Sequence, residues 1–108
     1  MVDFETFRKI ALSFPGTEQQ PHFHLTSFRF KNKIFATYHA KEQRAMIKLS
    51  LVSQSVFCAY DSSIFYPVPG AWGKKGATFV DLTKVRKDMF KDALSTSYSE
   101  LTSKKSVK

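Results

Sequence analysis

Cysteine occurs once, at Cys58, which excludes an internal disulfide and leaves no cysteine spacing for a metal site. Glycine and proline are scarce too, four of each in 108 residues, so each place where they gather is informative. Acidic side chains number 9 against 17 lysines and arginines, giving a formal net charge of +8 and a pI near 9.8. That balance favours polyanionic partners by long-range attraction. No apolar run approaches the roughly eighteen residues a membrane span needs, so no membrane partner is expected. The first residues, Met1 to Glu5, lack a basic stretch followed by an apolar one, so the expectation is a reduced, cytoplasmic protein.

What is abundant is phenylalanine, used eleven times within an apolar share of 43%. A chain of this length forms one domain, expected over residues 1–102, with a basic flexible tail over 103–108. Its core is expected to be built on rings rather than aliphatics. Cys58, beside Val56 and Phe57, is expected to be a buried, inert thiol.

The positive charge is not spread evenly. Residues 1–30 hold three basic and three acidic side chains, and residues 31–48 hold five and one. Residues 49–80 add a net +1, and residues 81–108 hold seven and four. The excess therefore sits in the middle and the C-terminal third.

Asp3 can cap a helix in which Phe4, Phe7, Ile10, Ala11 and Phe14 share a face, with Pro15-Gly16 ending it. A polar turn from Thr17 to Gln20 is then expected. Phe28 and Phe30 alternate along one strand, and Ile34, Ala36 and Tyr38 along the next. Asn32 tolerates positive φ, so a hairpin with Lys31 and Lys33 beside its tip follows. Arg44 to Leu49 alternates again, and residues 50–60 predict a short helix with Leu51, Val52, Ser55, Val56 and Ala59 on one side. Strands over 64–68 and 78–82 flank a loop, and a helix after Thr83 carries Val85, Met89, Phe90, Ala93, Leu94, Tyr98 and Leu101 on one face. The fold class is α+β: a two-layer sandwich, an antiparallel sheet of about five strands with the N- and C-terminal helices packed on one face.

The loop is the most informative segment. Pro67-Val-Pro-Gly-Ala-Trp-Gly-Lys-Lys-Gly76 gathers two prolines, three glycines, the only tryptophan and a lysine pair. Together with Leu12-Ser-Phe-Pro-Gly16, Glu18, Pro21-His22, Phe28 to Ala36, Met46 to Leu49 and Asp81-Leu82, it resembles the MmcQ/YjbR family over about residues 3 to 101. The resemblance implies a fold similar to bacterial frataxin (CyaY-like) and a double-wing surface described as DNA-binding. One departure is Ala77, where the family often carries a large aromatic, so a ring that packs the loop is missing.

The frataxin likeness raises iron binding, which needs clustered oxygen ligands; the first helix offers only Asp3 and Glu5, balanced by Arg8 and Lys9. His22, His24 and His39 have no cysteine or carboxylate at ligand spacing, so no metal or other cofactor is expected. No nucleophile elbow, Ser/His/Asp pattern or paired-carboxylate motif is present, and the chain is not expected to be an enzyme. Gly73-Lys-Lys-Gly76 lacks the spacing of a phosphate-cradling loop that opens a helix.

The candidate nucleic-acid-binding residues are Arg29, Lys31, Lys33, Arg44, Lys48, Lys74 and Lys75. The first three alternate opposite to Phe28, Phe30 and Ile34 and so face solvent, although lysines at hairpin edges also guard against strand aggregation. Lys74 and Lys75 are expected at a hairpin tip, with Trp72 packed against the sheet. A possible anion or partner site comprises His22, Trp72, Lys84, Arg86 and Lys87. The last three are expected in the first turn of the final helix, where positive charge opposes the macrodipole. Two functions follow: DNA binding without sequence specificity, through hairpin wings and phosphate contacts, or a small-anion- or protein-binding module with a pocket near Trp72 and Pro21-His22. A monomer or weak dimer is expected.

Overall fold

The computed structural model describes residues 1–103. Helix α1, Phe4–Ser13, begins at Asp3, whose carboxylate accepts the amide of Thr6 at 2.8 Å. That hydrogen bond holds the Asp3 carboxyl below its usual pKa. The helix buries Phe7, Ile10 and Ala11, and it stops before Pro15 and Gly16 as expected.

Four strands follow as a meander: β1 (Thr17–His22), β2 (Leu25–Phe30), β3 (Lys33–His39) and β4 (Arg44–Lys48). Lys31 and Asn32 both take positive φ, 50° and 66°, which is the two-residue turn that the asparagine foretold. Residues 17–20, expected as a turn, instead open an edge strand paired with β2 from Thr17↔Phe30 to His22↔Leu25. Mostly solvent-facing and polar, this strand carries no alternating apolar signal, and it brings the sheet to six strands.

The β2–β3 pairing contains a bulge. Phe28 faces Ala36 while Arg29 faces Ile34, so Phe35 is the extra residue. The bulge turns Phe35 into the core, where its ring lies 6.4 Å from Phe14 and 6.1 Å from Tyr98. Simple alternation places Ile34, Ala36 and Tyr38 on one face and leaves Phe35 on the other.

Helix α2 (Leu51–Tyr60) follows, then β5 (Phe65–Pro67), one helical turn α3 (Ala71–Lys74), β6 (Ala77–Asp81) and α4 (Lys87–Ser103). The all-antiparallel sheet has the order β1-β2-β3-β4-β6-β5, and its two edge strands contain Pro21 and Pro67. Helices α1 and α4 cover one face, as the sequence predicts. Phe7 joins the layers, with ring centroids 5.0 Å from both Phe28 and Phe90 and 5.9 Å from Tyr38. Helix α2 packs on β5 through Phe57 and Phe65, 5.1 Å apart.

The side of α2 formed by Leu51, Val52 and Val56 points to solvent, while Gln54 and Phe57 turn inward. Cys58 is half-buried, and burial pushes its thiol pKa up. The tail expected from residue 103 lies outside the described residues, except for Ser103, the last residue of α4.

Phe7 has no exposed surface and touches rings from both strands and helix. Phe7→Ala should therefore cost about 3–5 kcal/mol, read as a lower urea midpoint at unchanged m-value.

Candidate functional site

The connection from β5 to β6 is held by backbone contact rather than by its tryptophan. A Cβ on Gly73 would lie 1.8 Å from the carbonyl oxygen of Val68, and one on Gly76 would lie 1.8 Å from that of Leu49. Gly76 also takes a φ of +109°, and its carbonyl accepts the Leu49 amide at 3.1 Å. From below, the buried Gln54 amide donates to the carbonyls of Gly73 and Ala77 at 2.9 and 3.1 Å. With its backbone fixed in this way, the loop leaves Trp72 66% exposed. This corrects the expected packing of Trp72 against the sheet: two close backbone approaches and the Gln54 amide take over the anchoring role.

Beside the indole is a cleft of about 280 Å³. The buried Phe35, Leu49, Ala77 and Ser97 line it together with Ile34, Leu101 and the exposed Trp72, Lys48 and Lys75. Ser97 Oγ donates to the carbonyls of Lys48 and Phe35, tying α4 to the sheet. Glu100 accepts from the Ser50 amide and from the hydroxyls of Ser50 and Ser53, tying α4 to the start of α2. Gln54, Ser97 and Glu100 escaped sequence reasoning because their partners lie 19 to 62 residues away.

Register places the lysines of the two expected wings together. Lys33 opens β3 opposite Phe30, Lys48 closes β4 opposite Ala77, and Lys74-Lys75 are separated from Ala77 by Gly76 alone. Lys31, Lys33, Lys48, Lys74 and Lys75 therefore share one end of the sheet and are all solvent-exposed. Lys31 additionally lies over the Phe30 ring, 5.5 Å from its centroid.

The other candidates lie elsewhere. Arg29 sits on the sheet face opposite the helices, donating to Ser27 Oγ at 3.0 Å and to the Pro21 carbonyl at 3.3 Å. Arg44 opens β4 at the far end, with its guanidinium 3.7 Å from the Phe79 ring centroid. Its Nη1 donates to the Tyr66 hydroxyl at 3.5 Å while its buried Nε has no hydrogen-bond partner, so the guanidinium is engaged within the fold by Phe79 and Tyr66. His39, opposite Arg44 in the ladder, contacts Thr37 Oγ1 at 3.0 Å. Burial, and then the Arg44 charge, push the His39 pKa below its ordinary 6.5.

His22 lies at that same far end, where its ring meets Phe23 at 4.8 Å. Lys84 and Arg86 precede α4 rather than sitting in its first turn, because Asp81 organises a turn that bonds Thr83, Lys84 and Val85. Only Lys87 is within the helix. Arg86 pairs with Asp88 at 3.5 Å in the open, and a shallow depression of about 430 Å³ runs among Arg86, Lys87, Asp88 and Lys91. Trp72 is thus at the opposite end of the sheet from His22, Lys84, Arg86 and Lys87. The cleft beside it includes no part of the Pro21-His22 segment.

Among the described residues no group of three or more His, Cys, Asp or Glu is arranged to hold a metal ion, and no helix is long and apolar enough to cross a membrane. The two carboxylates of the first helical turn are engaged: Asp3 caps, and Glu5 lies 3.8 Å from Arg8.

Two outcomes follow from this geometry. Gly76 and Gly70 both take positive φ, but nothing lies within 4 Å of a Cβ on Gly70. Gly70→Ala should cost about 1–3 kcal/mol of backbone strain, whereas Gly76→Ala adds a backbone clash and should cost more than Gly70→Ala, about 3 kcal/mol or above, in denaturant unfolding. For His39, a folded pKa below 6.5 means that the unfolded chain binds the proton more readily. Stability should be flat above that pH and fall as pH drops below it, and His39→Gln should flatten the decline in a pH series of thermal melts.

No curated protein matches this chain. The crystal structure of Deinococcus radiodurans protein DR2400, which carries a DUF419 domain, is similar at a TM-score of 0.81 and 17% identity. The likeness covers 94% of this chain and 80% of that one, which establishes the shared α+β fold. A family model described as YjbR matches residues 12–100, a span that takes in the glycine-anchored loop, the lysine end of the sheet and most of α4, and the chain belongs to the YjbR family.

Proposed function

We propose that this protein binds nucleic acid without sequence specificity, through phosphate contacts made by the lysine end of its sheet. The observation that carries the proposal is the meeting of Lys31, Lys33, Lys48, Lys74 and Lys75, drawn from three separate segments, at one end of one rigid sheet. Ammonium groups on short turns are point charges suited to phosphate oxygens, and they read no base edges. The net charge of +8 adds long-range attraction, but by itself it would act at every surface. Grouping makes the difference, since neighbouring lysines release several counterions in one binding event. Arg29 and Arg44 fall outside the interface because their guanidinium groups are engaged on the opposite sheet face. No catalytic step is part of this function.

An anisotropy titration with a labelled duplex at several salt concentrations tests it. With all five lysines on phosphates, log K should fall against log salt with a slope of about −4 to −5. Charge reversal of Lys74 and Lys75 should lower that slope in magnitude by about two. Reversal of Arg86 and Lys87, at the other end of the sheet, should leave it unchanged. Equal losses from the two pairs would reduce the effect to bulk charge and remove the site.

A further inference from the structure

We infer that the cleft beside Trp72 receives one unstacked base, which makes the preferred partner at this end single-stranded rather than duplex nucleic acid. The inference rests on the lysine end being the nucleic-acid surface and adds what enters between the lysines.

Trp72 is the first reason. A large ring left 66% exposed on a mobile loop could fold down onto the surface. Here the loop itself is pinned: the Lys75 amide bonds the Trp72 carbonyl at 3.1 Å, the Gly76 amide bonds the Gly73 carbonyl at 3.0 Å, and the Gln54 amide donates to the Gly73 carbonyl. The indole is carried on an ordered backbone and leaves 66% of its surface to solvent, and a platform whose support is ordered in advance loses less entropy on binding.

The second reason is the shape and chemistry of the cleft. Its volume of about 280 Å³ lies near the lower bound of small-ligand sites and suits one planar ring system. Phe35, Leu49, Ala77, Ile34 and Leu101 make the lining chiefly apolar. Ser97 spends its hydroxyl proton inside the fold, so the floor carries no built set of base-reading donors. Stacking without edge recognition tolerates any base, in keeping with binding that ignores sequence.

Charge placement supplies the third. Lys48 and Lys75 both line the cleft and are solvent-exposed, while the Glu100 carboxylate is held by Ser50 and Ser53. The lysines are placed for the phosphates on either side of an inserted base, with Lys33 and Lys74 continuing the track. A duplex keeps its bases stacked and paired, and pulling one out costs a few kcal/mol that a single strand does not incur.

Because Trp72 is the only tryptophan, its emission reports on the cleft directly. The wild-type protein is titrated at low salt with oligothymidylate, with an abasic oligomer of equal length and charge, with a duplex of that length, and with inorganic phosphate. Oligothymidylate should quench the emission and bind several-fold tighter than either the abasic oligomer or the duplex. Trp72→Ala should weaken oligothymidylate binding roughly five- to a hundredfold, followed by anisotropy. It should leave duplex affinity unchanged, and Trp72→Phe should restore most of the loss. Equal affinity for the abasic oligomer, or quenching by phosphate alone, overturns base capture. If the duplex binds with the expected salt slope while Trp72 emission stays constant, the lysine interface stands and this inference falls. If no nucleic acid binds, both fall.

Discussion

The ladder between β4 and β6 is the contact on which the rest depends. It joins the local meander of β1 to β4 to the β5–β6 unit, across the intervening residues 49–76. Its register, running from Arg44↔Asp81 to Lys48↔Ala77, decides which side chains become neighbours. A slip of one residue would exchange the two faces of β6 and bring Val80 out of the core. It would also lift Gly76 from Leu49, and with it the loop that carries Trp72. The site is thus a consequence of strand register before it is a matter of particular side chains.

That dependence explains why the lysines could be nominated from the sequence but not assembled from it. Lys31 and Lys33 flank a turn that Asn32 announces locally, and Lys74-Lys75 lie in a loop marked by its glycines. Their proximity requires knowing that β6 enters between β4 and β5, which no window of neighbouring residues records. The helical parts were legible for the opposite reason. Asp3, the spacing of Phe7, Ile10 and Ala11, and Pro15-Gly16 are all signals within one stretch of chain.

Each misreading has its own physical cause. Strand β1 is an edge with polar side chains, so its partner supplies the pairing that its composition does not advertise. The extra residue in β3 interrupts period-two alternation and brings Phe35 inward. Trp72 was expected to be buried because large rings usually are, but Gly73 and Gly76 allow such close backbone approach that the loop needs no aromatic anchor. Lys84 and Arg86 were assigned to a helix that starts later, after the turn organised by Asp81. A family resemblance reached the architecture through these gaps because it draws on the whole chain at once.

The prolines of the two edge strands bear on what many copies of this protein do together. An open sheet ends in unpaired amides and carbonyls, and those ends can recruit a strand from another molecule. Pro21 in β1 and Pro67 in β5 each remove an amide donor from the ladder just where a newcomer would have to pair. β5 is also only three residues long, too short to template an added strand. The sheet therefore lacks an amide donor at each margin, and growth by strand addition is disfavoured in both directions when many copies are crowded together.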